Sequence, residues 1–301
     1  MKSTCLVIGG SGFLGRETVP ALSERYHVLS TGRREHGPDT LALDLRDADA
    51  VARVVHDLRP AAVVALAAYR DPDACEDAPE ETRRLNTEPY RVLTRLLAPE
   101  TPLVFVSTDY VFDGDHPPYH EHDERRPVNV YGESKRDAED SVASFPGGVI
   151  VRVPLLMGWT ADPGASGFFS QLIGDLRARE PRLLDDTLAR RPTWTRDAAR
   201  AIARLLCNHE RGMFHFSTSR RWTRYQAAVE MAGIMGWPHD HCRPSDAVVP
   251  RRARRPRDAQ LAMSAWSARG YPPPLEFPEV AREFVRAFAG HPFLIPETGK
   301  A

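Results

Sequence analysis

Lysine is almost missing from this 301-residue chain: of its 40 basic residues, all but Lys2, Lys135 and Lys300 are arginine. Where positive charge alone is wanted, arginine supplies it, so the single interior lysine, Lys135, calls for a chemical reason. Long apolar runs are missing too. No stretch approaches the ~18 residues of a membrane span, and the apolar segment at 5–8 runs straight into glycines, unlike a signal-peptide core. The chain is therefore read as cytoplasmic, with no membrane partner. The four cysteines, Cys5, Cys75, Cys207 and Cys242, lie far apart with no paired C-x-x-C spacing. That excludes a disulfide framework and a zinc ribbon. The net charge of −1 excludes general nucleic-acid binding, so any anion site must be local.

What is present is an alternation. Short apolar segments at 4–8, 26–31, 41–43, 62–66, 103–107 and 149–153 read as strands. Amphipathic stretches at 14–24, 47–58, 80–97 and 130–144 read as helices between them. This order predicts an α/β fold with a doubly wound parallel sheet. Beyond Pro154, loops rich in Pro, Gly and Arg separate helices expected at 168–179, 196–207, 225–235 and 280–288. Residues 1–153 are thus expected to form a dinucleotide-binding domain. Residues 154–301 are expected to form a smaller α/β substrate lobe, with segments free to cross back.

Gly9, Gly12 and Gly15 give the spacing G-x-x-G-x-x-G directly after the first strand, with Phe13 and Leu14 inside the loop. Glycines there allow a tight turn and close approach of a pyrophosphate, which the helix N-terminus then favours. At the end of the second strand stand Arg33 and Arg34, where an NAD site usually carries an acid. Guanidinium groups suit a 2′-phosphate, so NADPH is expected in preference to NADH, which stays open as a second cofactor. Asp44-Leu45 closes the third strand, where Asp can meet the adenine amino group or cap the following helix.

Tyr131 and Lys135, four apart on an expected helix, share one face. A phenol near pKa 10 is a poor acid–base group at neutrality, and a neighbouring ammonium is expected to lower it. Thr108, at the carboxyl end of a strand, is placed to hydrogen-bond a reacting carbonyl oxygen. The chemistry these three suit is hydride transfer to a ketone, with Tyr131 giving the proton.

The motifs S-T-D-Y-V-F-D-G (107–114) and P-x-N-V-Y-G-x-S-K (127–135), joined by Tyr119, Glu121 and Asp123, carry a resemblance. So do Ala67-Ala68-Tyr69, Asp73, Glu76 and Asn86, and later Pro192-Thr193-Trp194 and Arg255-Pro256. The chain resembles the extended short-chain dehydrogenase/reductases, in particular dTDP-4-dehydrorhamnose reductase and its sugar-nucleotide-binding relatives. The resemblance implies a catalytic trio of Thr108, Tyr131 and Lys135, with cofactor contacts on the glycine loop, Ala67, Ala68 and Tyr69. On the substrate side it implies Arg70, Asp109, Trp194 and Arg255. The expected reaction is NADPH-dependent reduction of a nucleotide-linked 4-keto-6-deoxy sugar in deoxysugar biosynthesis, and a homodimer is compatible with it. Departures stand at Ala65, Arg70 and Pro154, where family reductases carry other residues. Two rival readings remain. An epimerase or dehydratase would keep its cofactor bound, although Tyr110 stands where dehydratases commonly have an acid. A regulatory subunit like the methionine adenosyltransferase β subunit would work through binding.

Three other features are read more plainly. His116, His120 and His122, and the run His239-Asp240-His241-Cys242, lack the convergent spacing of a metal site, and no metal is expected. The arginines of 251–257 suit either a local diphosphate site or a solvated face. Trp194 offers a ring for a sugar or base, though packing is the commoner use of a lobe tryptophan.

Overall fold

The computed structural model describes residues 2–33, 37, 39–178, 180–247 and 251–295. The chain starts with strand β1 (Thr4–Ile8), helix α1 (Gly15–Ser23), β2 (His27–Gly32), β3 (Thr40–Ala42), α2 (Ala48–Leu58) and β4 (Ala62–Ala65). Three short helices follow: α3 (Pro72–Asp77), α4 (Pro79–Asn86) and α5 (Glu88–Leu96). Then come β5 (Leu103–Thr108), a 3-10 turn at Asp109–Val111, α6 (Val130–Ala143) and β6 (Gly148–Val153). The later half holds β7 (Leu156–Met157), α7 (Phe168–Arg177), β8 (Arg182–Asp185), β9 (Thr193–Trp194), α8 (Thr195–Cys207) and β10 (Gly212–His215). It ends with α9 (Arg224–Met235), β11 (Cys242–Ser245), α10 (Ser264–Ala268) and α11 (Phe277–Ala287).

Seven strands pair in parallel in the order β10-β6-β5-β4-β1-β2-β3. The α/β parallel sheet expected from the alternation is therefore present. Successive strand residues face opposite sides, and the sequence exploits this. Cys5, Val7, Val64, Val104 and Val151 meet α8 residues such as Ile202 and Leu205 on one face. On the other, Leu6, Ile8, Val63, Phe105 and Ile150 meet Val51, Leu93 and Val142 of α2, α5 and α6. Chain order reverses between β1 and β4, which opens a crevice at the carboxyl ends of the strands.

The second half divides its work. β10 joins the large sheet beside β6, and α8 packs against α1. Apart from α10, whose Trp266 packs into the large-sheet core, the remaining elements form a lobe with two parallel strand pairs, β11–β8 and β7–β9. Its core is aromatic: Phe169 stacks on Phe284 at 4.5 Å, and Trp159 on Trp194 at 5.4 Å.

One expected element differs. The single helix over 80–97 is broken at Thr87 into α4 and α5. Pro89 lacks the N–H that a continuous helix would need and its ring would crowd the preceding turn. Side chains hold the break in place. Asn86 Nδ2 donates to Ser134 Oγ at 3.0 Å, and Thr87 Oγ1 to the Ser134 carbonyl at 2.9 Å. Helices α3 and α10 had no counterpart among the expected elements.

Candidate active site

A cleft of about 1270 Å³ runs from the glycine loop to the lobe. At one end, Gly9 has φ +89°, and a Cβ there would lie 2.9 Å from the Ala67 amide. A Cβ at Gly15 would lie 2.3 Å from the Gly9 carbonyl. The loop is therefore as tight as the sequence implied, and Ala67 closes over it. Leu14, at the N-cap of α1, offers no side-chain acceptor, and while the Arg16, Glu17 and Thr18 amides are bonded to backbone carbonyls, those of 13–15 are left to the cleft. Gly12, Phe13, Leu14 and Gly15 all line it. A cradle that any Cβ would fill, with an uncapped helix end behind it, fits a pyrophosphate.

Arg33 is exposed and lines the same end; Arg34 lies outside the described residues. Asp44 and Leu45 line the cleft beside it. The Asp44 carboxylate is gripped by Arg46 at 2.6 Å, which holds it down to about 2. Asp44 does not cap the next helix; Asp47 does, its Oδ1 accepting from the Ala50 amide at 2.9 Å. Tyr69 is fixed through its backbone, its N–H donating to Asn86 Oδ1 at 2.7 Å and its carbonyl accepting from Asn86 Nδ2 at 2.9 Å. Ala68 and the exposed Arg70 continue the wall.

Midway along the cleft, Thr108, Asp109, Tyr131 and Lys135 come together. Asn129 caps α6 by accepting from the Gly132 amide at 2.8 Å, and Glu76 accepts from the Val130 amide at 2.9 Å. A Cβ at Gly132 would sit 2.2 Å from the Tyr110 carbonyl, so glycine lets α6 start hard against the turn after β5. Tyr131 thereby meets Tyr110 edge-on at 5.8 Å.

The electrostatics differ from the expectation of a phenol lowered by an ammonium. Burial pushes the Tyr131 phenol up; the Thr108 hydroxyl opposes this and the Asp109 carboxylate adds to it. Burial also pulls the Lys135 ammonium down to about 7, against the opposing pull of Glu139. Its Nζ donates to the Val106 carbonyl at 2.7 Å and lies 3.9 Å from the Phe105 ring centre. The physical reason is desolvation, which is the largest influence on both groups. Tyr131 is thus held in its proton-bearing form.

Arg255 lines the cleft but is already engaged, donating to Asp73 Oδ2 at 3.0 Å and to the Ala253 carbonyl. Trp194 does not line it. The ring is buried in the lobe core between Trp159 and the Arg196 guanidinium. Pro154 and Leu155 do border the cleft, whereas Arg152 is buried and paired with Glu139 at 2.7 Å. The motif residues Tyr119, Glu121 and Asp123 serve the loop itself. The Tyr119 hydroxyl accepts from three consecutive amides, 114 to 116, and donates to Asp113. Glu121 accepts from Ala265 N–H, and Asp123 from His120 N–H. Among the described residues no group of three or more His, Cys, Asp or Glu is arranged to hold a metal ion.

Sequence reasoning missed the lobe side of the cleft: Phe168, Gln171, Asp185, Arg190, Trp222 and Arg224. They come from four separate segments and share no spacing, so no local signal could have assembled them. Two cleft-lining residues also carry buried polar atoms without a protein partner, Ser107 Oγ and Trp222 Nε1. Buried polar atoms are normally satisfied, so these two fit a site that is completed by a ligand.

Residues 2–289 match the family model described as RmlD substrate binding domain. Among curated relatives, methionine adenosyltransferase 2 subunit beta of Pongo abelii is 33% identical over 267 residues, covering 86% of this chain and 80% of that protein. The dTDP-4-dehydrorhamnose reductase of Streptomyces griseus is 33% identical over 278 residues, covering 89% and 88%. In fold, the crystal structure of a dTDP-4-dehydrorhamnose reductase from Bacillus anthracis in complex with NADP matches with a TM-score of 0.84, at 23% identity, over 95% of this chain and all of that one. With its glycine-loop crevice, its Thr–Tyr–Lys cluster and a match along nearly its whole length, the chain belongs to the RmlD substrate-binding-domain family of extended short-chain dehydrogenase/reductase-like proteins.

Proposed function

We propose that this protein is an NADPH-dependent reductase of a nucleotide-linked 4-keto-6-deoxy sugar. The observation that carries the reading is the convergence of Thr108, Tyr131 and Lys135 in the cleft that the glycine loop opens. The amides of 13–15 would hold the pyrophosphate, Arg33 the 2′-phosphate, and Ala67, Ala68 and Tyr69 would flank the adenosine and ribose. When bound, the reduced nicotinamide supplies a hydride to the ketone carbon. Tyr131, kept protonated by its burial, donates the proton that the ketone oxygen needs. Thr108 orients that oxygen and Lys135 steadies the ribose. Arg70, just after β4, and Arg190, on the lobe side, give the cleft positive charge suited to the substrate's diphosphate, with Trp222 N–H free to meet a substrate acceptor.

The test is a panel of nucleotide-linked 4-keto-6-deoxy sugars with NADPH, followed at the nicotinamide absorbance. Stoichiometric release of oxidised cofactor supports net reduction; turnover with the cofactor retained would point to epimerisation or dehydration instead. A second reading is favoured by the likeness to methionine adenosyltransferase 2 subunit beta: a nucleotide-binding subunit of a larger assembly. No turnover on the panel, together with stable co-purification of a methionine adenosyltransferase catalytic chain, would establish that reading in place of the first.

A further inference from the structure

The wall that Ala67 makes over the glycine loop is held from behind by a residue of the buried core. Tyr90, in the first turn of α5, is fully buried, and its hydroxyl donates to the Ala67 carbonyl at 2.6 Å. The Ala67 amide donates to the Ile8 carbonyl at 3.2 Å. Both ends of the residue are thus tied, one to β1 and the other to α5. Among the described residues no second donor meets the Ala67 carbonyl. The contact it protects is close: a Cβ on Gly9 would lie 2.9–3.1 Å from the Ala67 nitrogen, Cα and Cβ. Any outward drift of Ala67 therefore loosens the turn that is to cradle the pyrophosphate.

The same ring reaches α6. Tyr90 packs edge-on against Phe105 of β5 at 4.5 Å. The Lys135 Nζ sits over both rings, 3.9 Å from the Phe105 centre and 5.8 Å from that of Tyr90. An ammonium over an aromatic face is attracted by the ring's quadrupole, more strongly where water is excluded. One side chain thus meets the cofactor wall with its hydroxyl and the ammonium with its ring face. The chain just before it is anchored to the same two places. Asn86 holds Tyr69 by its backbone and reaches Ser134, next to Lys135. Burial pushes the Tyr90 phenol up, and the Tyr131 phenol adds to the effect, so the hydroxyl keeps the proton that it gives to Ala67.

From this geometry, and resting on the reductase reading above, we propose that Tyr90 is a positioning residue: a strut that sets the Ala67 wall of the cofactor site in register with the Lys135 ammonium. It acts through those two residues and touches neither cofactor nor substrate itself. Ala67 closes the cofactor site, and Lys135 steadies the ribose. The two contacts are chemically separable, because the hydroxyl serves the wall and the ring face serves the ammonium. The hydroxyl should therefore show in cofactor affinity, and the ring in turnover once the cofactor is bound.

The test compares the full chain as wild type, as Tyr90→Phe, which keeps the ring, and as Tyr90→Leu, which loses ring and hydroxyl together. NADPH dissociation constants come from fluorescence titration, and folding is followed by thermal unfolding without cofactor. Turnover at saturating NADPH is measured on the panel sugar that is reduced best. Tyr90→Phe should weaken NADPH about five- to tenfold, the scale of one hydrogen bond, with kcat within about twofold of wild type. Tyr90→Leu should show the same loss of affinity and also lose about tenfold in kcat, the scale of one cation–π contact. A role in packing alone predicts a lower melting temperature with the NADPH affinity of the folded protein unchanged, and that result in Tyr90→Phe would overturn the proposal. So would a Tyr90→Phe that did not fold, since the hydroxyl would then serve the core. A Tyr90→Leu with the kcat of Tyr90→Phe would overturn the link to Lys135; if Tyr90→Leu did not fold, Tyr90→Phe decides alone. If wild type reduced no member of the panel, the reductase reading would fall, while the NADPH titrations would still decide whether Tyr90 holds the cofactor wall.

Discussion

A guanidinium at the end of β2 can tell NADPH from NADH only through the 2′-phosphate, because that group is all that separates the two ligands. Arg33 is exposed at the adenosine end of the cleft, so Arg33→Ala should weaken NADPH while leaving NADH nearly unchanged. A charged hydrogen bond to phosphate is worth roughly 1.5–3 kcal/mol, and about tenfold in the ratio of dissociation constants is expected after solvent exposure is allowed for. Equal weakening of both cofactors, measured by fluorescence titration, would assign Arg33 to the fold. Tyr131→Phe removes the proton donor and little else. It should bind NADPH almost normally and lose about 10²–10⁴-fold in turnover; wild-type turnover in this variant would end the proposed mechanism. Residues like these were legible because their chemistry is written in local motifs. Their proton affinities were not. That Lys135 is buried, and that its Nζ donates to the Val106 carbonyl, depends on how β5 and α6 pack. Trp194 shows the same limit: a ring beside a substrate-lobe motif proves to be core.

At the scale of elements, periodicity located most helices and strands within a residue or two, since it records which face meets the sheet. It failed where side chains from distant segments decide, as at the Thr87 break held by Ser134. Glycines give a direct measure of such tertiary control. Gly132 and Gly174 both lie within helices, α6 and α7, and by propensity alone alanine should stabilise either by roughly 1 kcal/mol. At Gly174 nothing lies within 4 Å of the added Cβ, so Gly174→Ala should raise stability by about that amount. At Gly132 the Cβ would come within 2.2 Å of the Tyr110 backbone carbonyl, which cannot swing aside. Gly132→Ala should therefore lose roughly 1–3 kcal/mol and, by pushing α6 off the turn after β5, misplace Tyr131. Denaturant unfolding of the pair decides it; equal effects of both substitutions would mean that the close approach does not constrain α6.

The whole molecule carries a cost for holding Lys135 inside, and the sign of that cost with pH is fixed. Its ammonium titrates near 7 in the folded protein against an ordinary value of 10.5. Between those values the unfolded chain binds more protons than the folded one, so stability rises with pH across that interval. Below about pH 7 the penalty of the buried charge is fully felt; it is relieved as pH climbs toward 10. Lys135→Met keeps the length of the side chain and removes the charge. It forfeits the hydrogen bond to Val106, a loss that hardly varies with pH, so the informative quantity is the change in the difference between variant and wild type. That difference should favour the variant most below pH 7 and shrink by about 1–3 kcal/mol on going to pH 9, as read from guanidinium unfolding at the two pH values. A difference that stayed constant would mean the ammonium is solvated or paired well enough in the fold to keep its ordinary affinity for the proton. The comparison should be made without NADPH, because a ligand that binds only the folded state adds its own stabilisation, about 2.7 kcal/mol at a hundred times its dissociation constant. Repeating it with saturating NADPH then asks a separate question. If Lys135 steadies the ribose, the cofactor should stabilise wild type more than Lys135→Met.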